Sequence, residues 1–141
     1  MIQPTEAQRA FLARHPVAHL ATADAQGQPH VVPICYAYDE YLYVAIDTKP
    51  KRVGPSQLKR LRNIRQNPRV AVVVDDYSDD WNRLAYVLIQ GRAEVLEEGE
   101  EYEKALRLLR SKYSQYRKMP LEGRPLIWIT PERIASWGAI L

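Results

Sequence analysis

The residues best suited to chemistry lie in one short segment. Residues 49–65, KPKRVGPSQLKRLRNIR, carry seven Lys or Arg and no acid. The whole chain of 141 residues holds 20 bases and 17 acids. Outside the segment, 13 bases therefore face 17 acids, a net −4. The positive charge is local, and concentrated positive charge meets an anion: phosphate, polyphosphate, nucleic acid or carboxylate. Lys49, Lys51 and Arg52 come first, then Lys59, Arg60 and Asn63 after a loop marked by Pro50, Gly54 and Pro55. A solvated basic face is the plain alternative. Nucleic acid fits less well, because residues 49–69 hold no aromatic side chain to stack on a base.

Other polar clusters offer less. DDYSDDW (75–81) has four acids but lacks the tight-turn Gly and the closing Glu of a calcium loop. It reads as a solvated strand end, with Trp81 covering a pocket or a subunit interface. His15, His19 and His30 have no metal-ligand spacing with one another or with Cys35. His19, between apolar neighbours, reads as a core or barrel-lining residue, and His30 as a second lining residue. Cys35 with a distant His is too generic to be a nucleophile. An anion site without a nucleophile or acid–base pair suits a protein whose bound cofactor performs the chemistry.

These residues need elements to hold them. Thr5 with Gln8 predicts a capping box, opening a helix that buries Phe11 and Leu12 and ends at Pro16. VAHLATA (17–23), PHVVPICYAY (29–38) and YLYVAID (41–47) read as an antiparallel meander, with Pro33 marking an edge or a bulge. Ser56 is a candidate cap for a helix over 57–66. There Leu58, Leu61 and Ile64 share the packed face and Lys59, Arg60, Arg62 and Asn63 the other. RVAVVVDDY (69–77) predicts a strand buried on both faces. LAYVLIQGRAEVLE (84–97) predicts a long strand bent near Gly91. Residues 98–118 read as the main helix, acidic at its start and basic at its end. PLIWIT (125–130) and ERIASWGAI (132–140) read as two short strands. The fold class expected is α+β: a six- to seven-stranded, mostly antiparallel split β-barrel with flanking helices.

Length and composition set the frame. The chain reads as a single domain over residues 1–141, large enough for a core but helped by a dimer. Hydrophobic residues make up 46% and charged residues 26%, ordinary for a globular protein. No uncharged apolar run approaches the roughly 18 residues of a membrane span. The opening MIQPTEAQRAFL lacks a basic n-region and an apolar h-region, and one cysteine cannot form an internal disulfide. A cytoplasmic protein is expected, with no nucleic-acid and no membrane partner.

Taken in order, GQPHVVPICYAY, TKPKR, NPRVAVVV, LIQGRAEVLE and TPERIASW resemble the flavin-binding split barrel of the pyridoxamine 5′-phosphate oxidase-like superfamily, over about residues 12–138. HLATAD, HVVPICYA, KPKR, LKRLRNI and the DDW loop resemble its small, probable F420-dependent members. The resemblance implies a homodimer with a flavin-type cofactor in each of two interface grooves. It places Lys51 and Arg52 on the cofactor phosphate and the strand from His30 through Val31, Val32 and Pro33 to Cys35 beside the ring, with Trp137 near the ring. Tyr86 falls where oxidase members often carry Gln, and a ring contact there is left open. Lys49, Lys59, Arg60 and Asn63 surround the phosphate region and would suit the anionic tail of F420.

The departures matter too. The end of the second predicted strand holds Cys35 where oxidases hold a substrate Lys. The chain also runs only four residues past Trp137. Both argue against pyridoxamine phosphate as substrate, and no well-placed haem ligand is apparent. The expectation is an oxidoreductase passing hydride between F420 and a small organic acceptor. No protein nucleophile is expected, and a water or a Tyr is left to assist proton transfer. FMN in place of F420, or a non-catalytic flavin carrier, is the alternative.

Overall fold

Alternation of buried and open positions builds the strands. Ala18, Leu20 and Thr22 turn inward while His19 is exposed, so β1 (Ala18–Ala23) has one core face. His19 is therefore not a core or lining residue: it lies one step out of phase with its buried neighbours. The computed structural model describes residues 2–46 and 58–141. Lys49, Lys51, Arg52 and the Ser56 cap lie outside the described residues.

α1 (Glu6–Arg14) opens on the expected capping box. The Gln8 N–H donates to Thr5 Oγ1 at 3.1 Å and the Thr5 N–H to Gln8 Oε1 at 2.9 Å. β2 (Pro29–Ile34) ends where the sequence suggested continuity. After Cys35 the chain resumes as β3 (Tyr36–Tyr38), then β4 (Leu42–Ala45). α2 (Lys59–Gln66) follows, its Leu58 cap making no side-chain hydrogen bond. β5 (Arg69–Asp76), β6 (Ala85–Leu96), α3 (Glu100–Lys112) and β7 (Leu126–Gly138) follow among the described residues. Two predicted strands are one: β7 runs through Pro131, and a bulge between Gln90 and Gly91 absorbs the irregularity. A Cβ on Gly91 would overlap the Thr130 carbonyl oxygen, so this close approach requires glycine.

The seven strands form one antiparallel sheet in the order β2-β1-β5-β6-β7-β4-β3. β2 and β3 stand at opposite ends of that order, yet Cys35 alone joins them. The sheet must therefore curl until its two edges meet, and Cys35 sits at the seam of a split, half-barrel α+β fold. Pro33 lies on an edge strand, as a residue without an N–H prefers.

One core fills the curl, with Leu20, Val72, Val87, Ile89 and Ile129 almost wholly buried. A second lies under α3, where Tyr102, Leu106 and Leu109 pack on Ala37, Tyr43 and Ala45. α3 is shorter than its sequence pattern. It ends at Lys112, Tyr113 turns to extended backbone (φ −118°), and a 3₁₀ turn takes Ser114–Arg117.

Candidate functional site

The site builds from the edge strand β2. Antiparallel pairing sets Thr22 opposite His30, Ala21 opposite Val31, Leu20 opposite Val32 and His19 opposite Pro33. Val31 is 64% exposed and Pro33 is exposed, whereas His30 and Val32 are half-buried. The buried Nδ1 of His30 has no hydrogen-bond partner, so this wall keeps an unspent polar atom.

α2 brings cations to that wall. Arg60 lines a cavity of about 150 Å³ with Val17, Pro33, Ile34, Cys35 and Ala45. Lys59 stands 3.8 Å from Asp24 Oδ2. Asp24 is held below the usual carboxylate range chiefly by the Gln28 N–H, with the Gln26 N–H and the Lys59 charge adding to it. A separation of 3.8 Å at a half-exposed lysine is a loose pair, and Lys59 can turn toward a stronger anion.

Asn63 does not lie on the polar face. It is fully buried, its Nδ2 donates to Thr22 Oγ1 at 3.0 Å, and its Oδ1 has no partner. One helical step from Ile64, it falls within the arc that packs against β1. Its geometry is that of a strut, tying α2 to the strand that pairs with β2.

Trp137 is 54% exposed and stacks on Tyr86, the ring centroids 6.1 Å apart and the planes 24° apart. Both lie on the outer sheet face. In the hydrogen-bonded order of the sheet, β1, β5 and β6 lie between β2 and the Trp137 strand. Within one protomer Arg60 shares a cavity with Pro33, Lys59 stands beside Asp24 at the β1–β2 turn, and Trp137 lies on β7. Trp81 is 73% exposed.

Sequence reasoning passed over a second cavity, of about 540 Å³, on the far side of Cys35. It is lined by Cys35, Lys112, Tyr113, Ser114, Gln115, Tyr116 and Met119. The Tyr113 hydroxyl anchors its rim at the seam, donating to the Pro16 carbonyl oxygen at 2.8 Å and accepting from the Tyr36 N–H at 3.0 Å. Lys112 reads in sequence as a cation complementing the helix dipole. Burial instead pushes its ammonium down to about 8, with the Cys35 charge acting weakly the other way. The only sequence signal was the tyrosine-rich stretch around it.

Comparison with known proteins adds a lineage. The pyridoxamine 5′-phosphate oxidase family profile matches residues 4–138. A 5a,11a-dehydrotetracycline/5a,11a-dehydrooxytetracycline reductase of Streptomyces rimosus is 30% identical over 135 residues, 95% of this chain and 82% of the relative. A conserved hypothetical protein of Mycobacterium tuberculosis superposes with a TM-score of 0.76 at 26% identity, over 97% of this chain and 86% of that one. An FAD-binding protein of Mesorhizobium loti gives 0.66 at 26% identity, over 94% of each chain. Haem proteins share the fold at 16% and 20% identity, which speaks to fold alone.

Proposed function

The chain belongs to the pyridoxamine 5′-phosphate oxidase family, and from that premise we propose that it is an oxidoreductase holding a flavin-type cofactor, F420 or FMN, at the interface of a homodimer. The observation that carries the reading is the family match over nearly the whole chain. The reductase relative supports redox chemistry, and the FAD-binding neighbour supports a flavin-type ligand.

The described residues fit such a ligand. The β2 edge presents the exposed side chains of Val31 and Pro33, suited to one face of a flat heterocycle, while the unpaired Nδ1 of His30 is buried on the strand's other face. Arg60 closes one end of that wall and Lys59 stands near it. Lys51 and Arg52 are assigned to the phosphate, and Lys49, Lys59 and Arg60 to further anionic groups. Asn63 positions α2 rather than touching the ligand. When bound, the cofactor supplies hydride, two electrons and one hydrogen, to a conjugated organic acceptor that takes its proton from water. The protein's own residues bind the tail, orient the ring and exclude solvent. The seven bases in 49–65 favour F420, whose polyanionic tail engages more cations than the single phosphate of FMN.

The outer sheet face supports a dimer. Ala21, Val31, Pro33, Ala71, Val73, Leu88 and Ala135 share it by register and are exposed or half-buried. A second copy on this face would cover them and carry its Trp137 toward the opposite β2 wall.

Fluorescence titration of the purified protein with F420 and with FMN tests the reading. Tight F420 binding with weak FMN binding supports the F420 assignment, and the reverse makes the segment an FMN phosphate site. Binding of neither removes the function. Replacing Lys51 and Arg52 together by Ala should weaken binding more than tenfold with the fold intact, since a charged hydrogen bond contributes about 1.5–3 kcal/mol. Unchanged affinity would sink the phosphate assignment.

A further inference from the structure

The cavity at the end of α3 combines a half-buried cation, aromatic walls and continuity with the β2 wall. Lys112 Nζ donates to the Leu12 carbonyl oxygen at 3.1 Å and lies 3.7 Å from the Tyr36 ring centroid and 5.4 Å from that of Tyr113. No Asp or Glu among the described residues lies within ion-pair distance of it. A carbonyl dipole and two ring faces hold a half-buried ammonium only in part, and an anion beside it would be favoured. An anion has room beside it, because Lys112 lines the cavity of about 540 Å³ with Tyr113, Tyr116 and Met119. That volume fits a small ligand of one to a few rings.

Cys35 places this cavity. It belongs to both cavities: it closes the β2 wall beside Pro33, Ile34 and Arg60, and it forms one side of the Lys112 cavity. Anything held against Lys112 therefore sits next to the end of the wall assigned to the cofactor ring.

We infer that the Lys112 cavity binds a small conjugated organic anion, a carboxylate, phenolate or enolate, and that this anion is the hydride acceptor. Its charged oxygen pairs with Lys112 Nζ, and its ring lies against Tyr113, Tyr116 and Met119. Its far end reaches the Cys35 seam. This inference rests on the cofactor reading above. The lowered ammonium affinity of Lys112 agrees with it, since an anion would restore the charge balance that burial disturbs. The titratable groups facing Lys112 are the Cys35 thiol and the Tyr36 and Tyr113 hydroxyls.

The test uses the full chain with its cofactor, benzoate as the anionic probe and benzyl alcohol as its neutral counterpart. Calorimetry should show benzoate binding at pH 7 and benzyl alcohol binding at least tenfold more weakly. Lys112→Met should lose benzoate at least tenfold and leave cofactor affinity unchanged. Acetylation of Lys112, followed by mass spectrometry at pH 8, should slow in the presence of benzoate. Bound benzoate should also perturb the absorbance of the cofactor. Equal binding of the two probes, undiminished binding to Lys112→Met, or an unprotected Lys112 overturns the site. Binding at Lys112 that leaves the cofactor spectrum unmoved overturns the acceptor assignment. Should the cofactor itself not bind, the calorimetry and acetylation still judge the anion site in its absence, so the two failures remain distinct.

Discussion

Lys112 keeps a positive charge among two tyrosine faces, a carbonyl oxygen and a cysteine, and that setting has a thermodynamic sign. Burial lowers its proton affinity from an ordinary value of 10.5 to about 8. Between those values the unfolded chain binds a proton that the folded chain does not, so this residue's contribution to stability rises with pH across that interval. Below about 8 its burial cost is fully present, and above 10.5 it is gone. Lys112→Met should therefore be more stable than the wild type at pH 7, by about 1–2 kcal/mol after discounting for the solvent-facing cavity. The gap should close as pH rises toward 10. Urea melts of both proteins at pH 7 and pH 10 decide it: a gap that widens with pH contradicts the assignment. Charge counting along a helix gives no access to this effect, because it treats every cation near a C-terminus alike. Asn63 escaped for a related reason. A helix of eight residues packed against two strands buries a wider arc than its two apolar positions suggest, and one amide falls inside it.

Elements were legible wherever a local pattern decided them. The capping box of α1, the strands β1 and β6 and the bend at Gly91 follow from short local patterns, although His19 was placed on the wrong face of β1. Boundaries set by distant contacts were not legible. α3 stops at Lys112 although its helical pattern continues, because the Tyr113 hydroxyl engages Pro16 and Tyr36, 97 and 77 residues away in sequence. The second strand breaks at Cys35 because the curling sheet brings its two edges together there, a global constraint with no local signature. β7 runs straight through Pro131 because the Gly91 bulge on the neighbouring strand takes up the mismatch. Tyr113→Phe should therefore act on the seam rather than on the helix. It leaves the Tyr36 N–H without its acceptor, costing about 1–3 kcal/mol. Hydrogen exchange should quicken at Tyr36 and around residues 113–117 while the middle of α3 stays protected. Faster exchange along the whole of α3 would mean that Tyr113 holds the helix and not the seam.

At the scale of the whole molecule, the valine run of β5 poses the last question. It predicts cover on both faces, and one chain supplies cover on one: Val70, Val72 and Val74 are buried, while Ala71 and Val73 are half-open. Together with Ala21, Leu88, Ala135 and Val31, they leave a largely apolar face in register across five strands, with the polar His19 and Gln90 within it. A stable dimer buries about 800 Å² on each partner, and a face of this extent is of the right order. The same docking would bring Trp137 within reach of the opposite β2 wall, so the homodimer and the cofactor groove are one proposal at this scale. Leu88→Glu puts a charge at the middle of that face, where the isolated fold already leaves the side chain half-open. The variant should keep the circular dichroism of the wild type, run as a monomer where the wild type runs as a dimer, and lose cofactor affinity at least tenfold. Sedimentation and the fluorescence titration, performed on the same samples, read both effects. A monomeric wild type would remove the interface groove. A dimeric Leu88→Glu would place the interface elsewhere. A monomeric variant that binds cofactor as tightly as the wild type would put the whole site within a single chain, with Trp137 outside it.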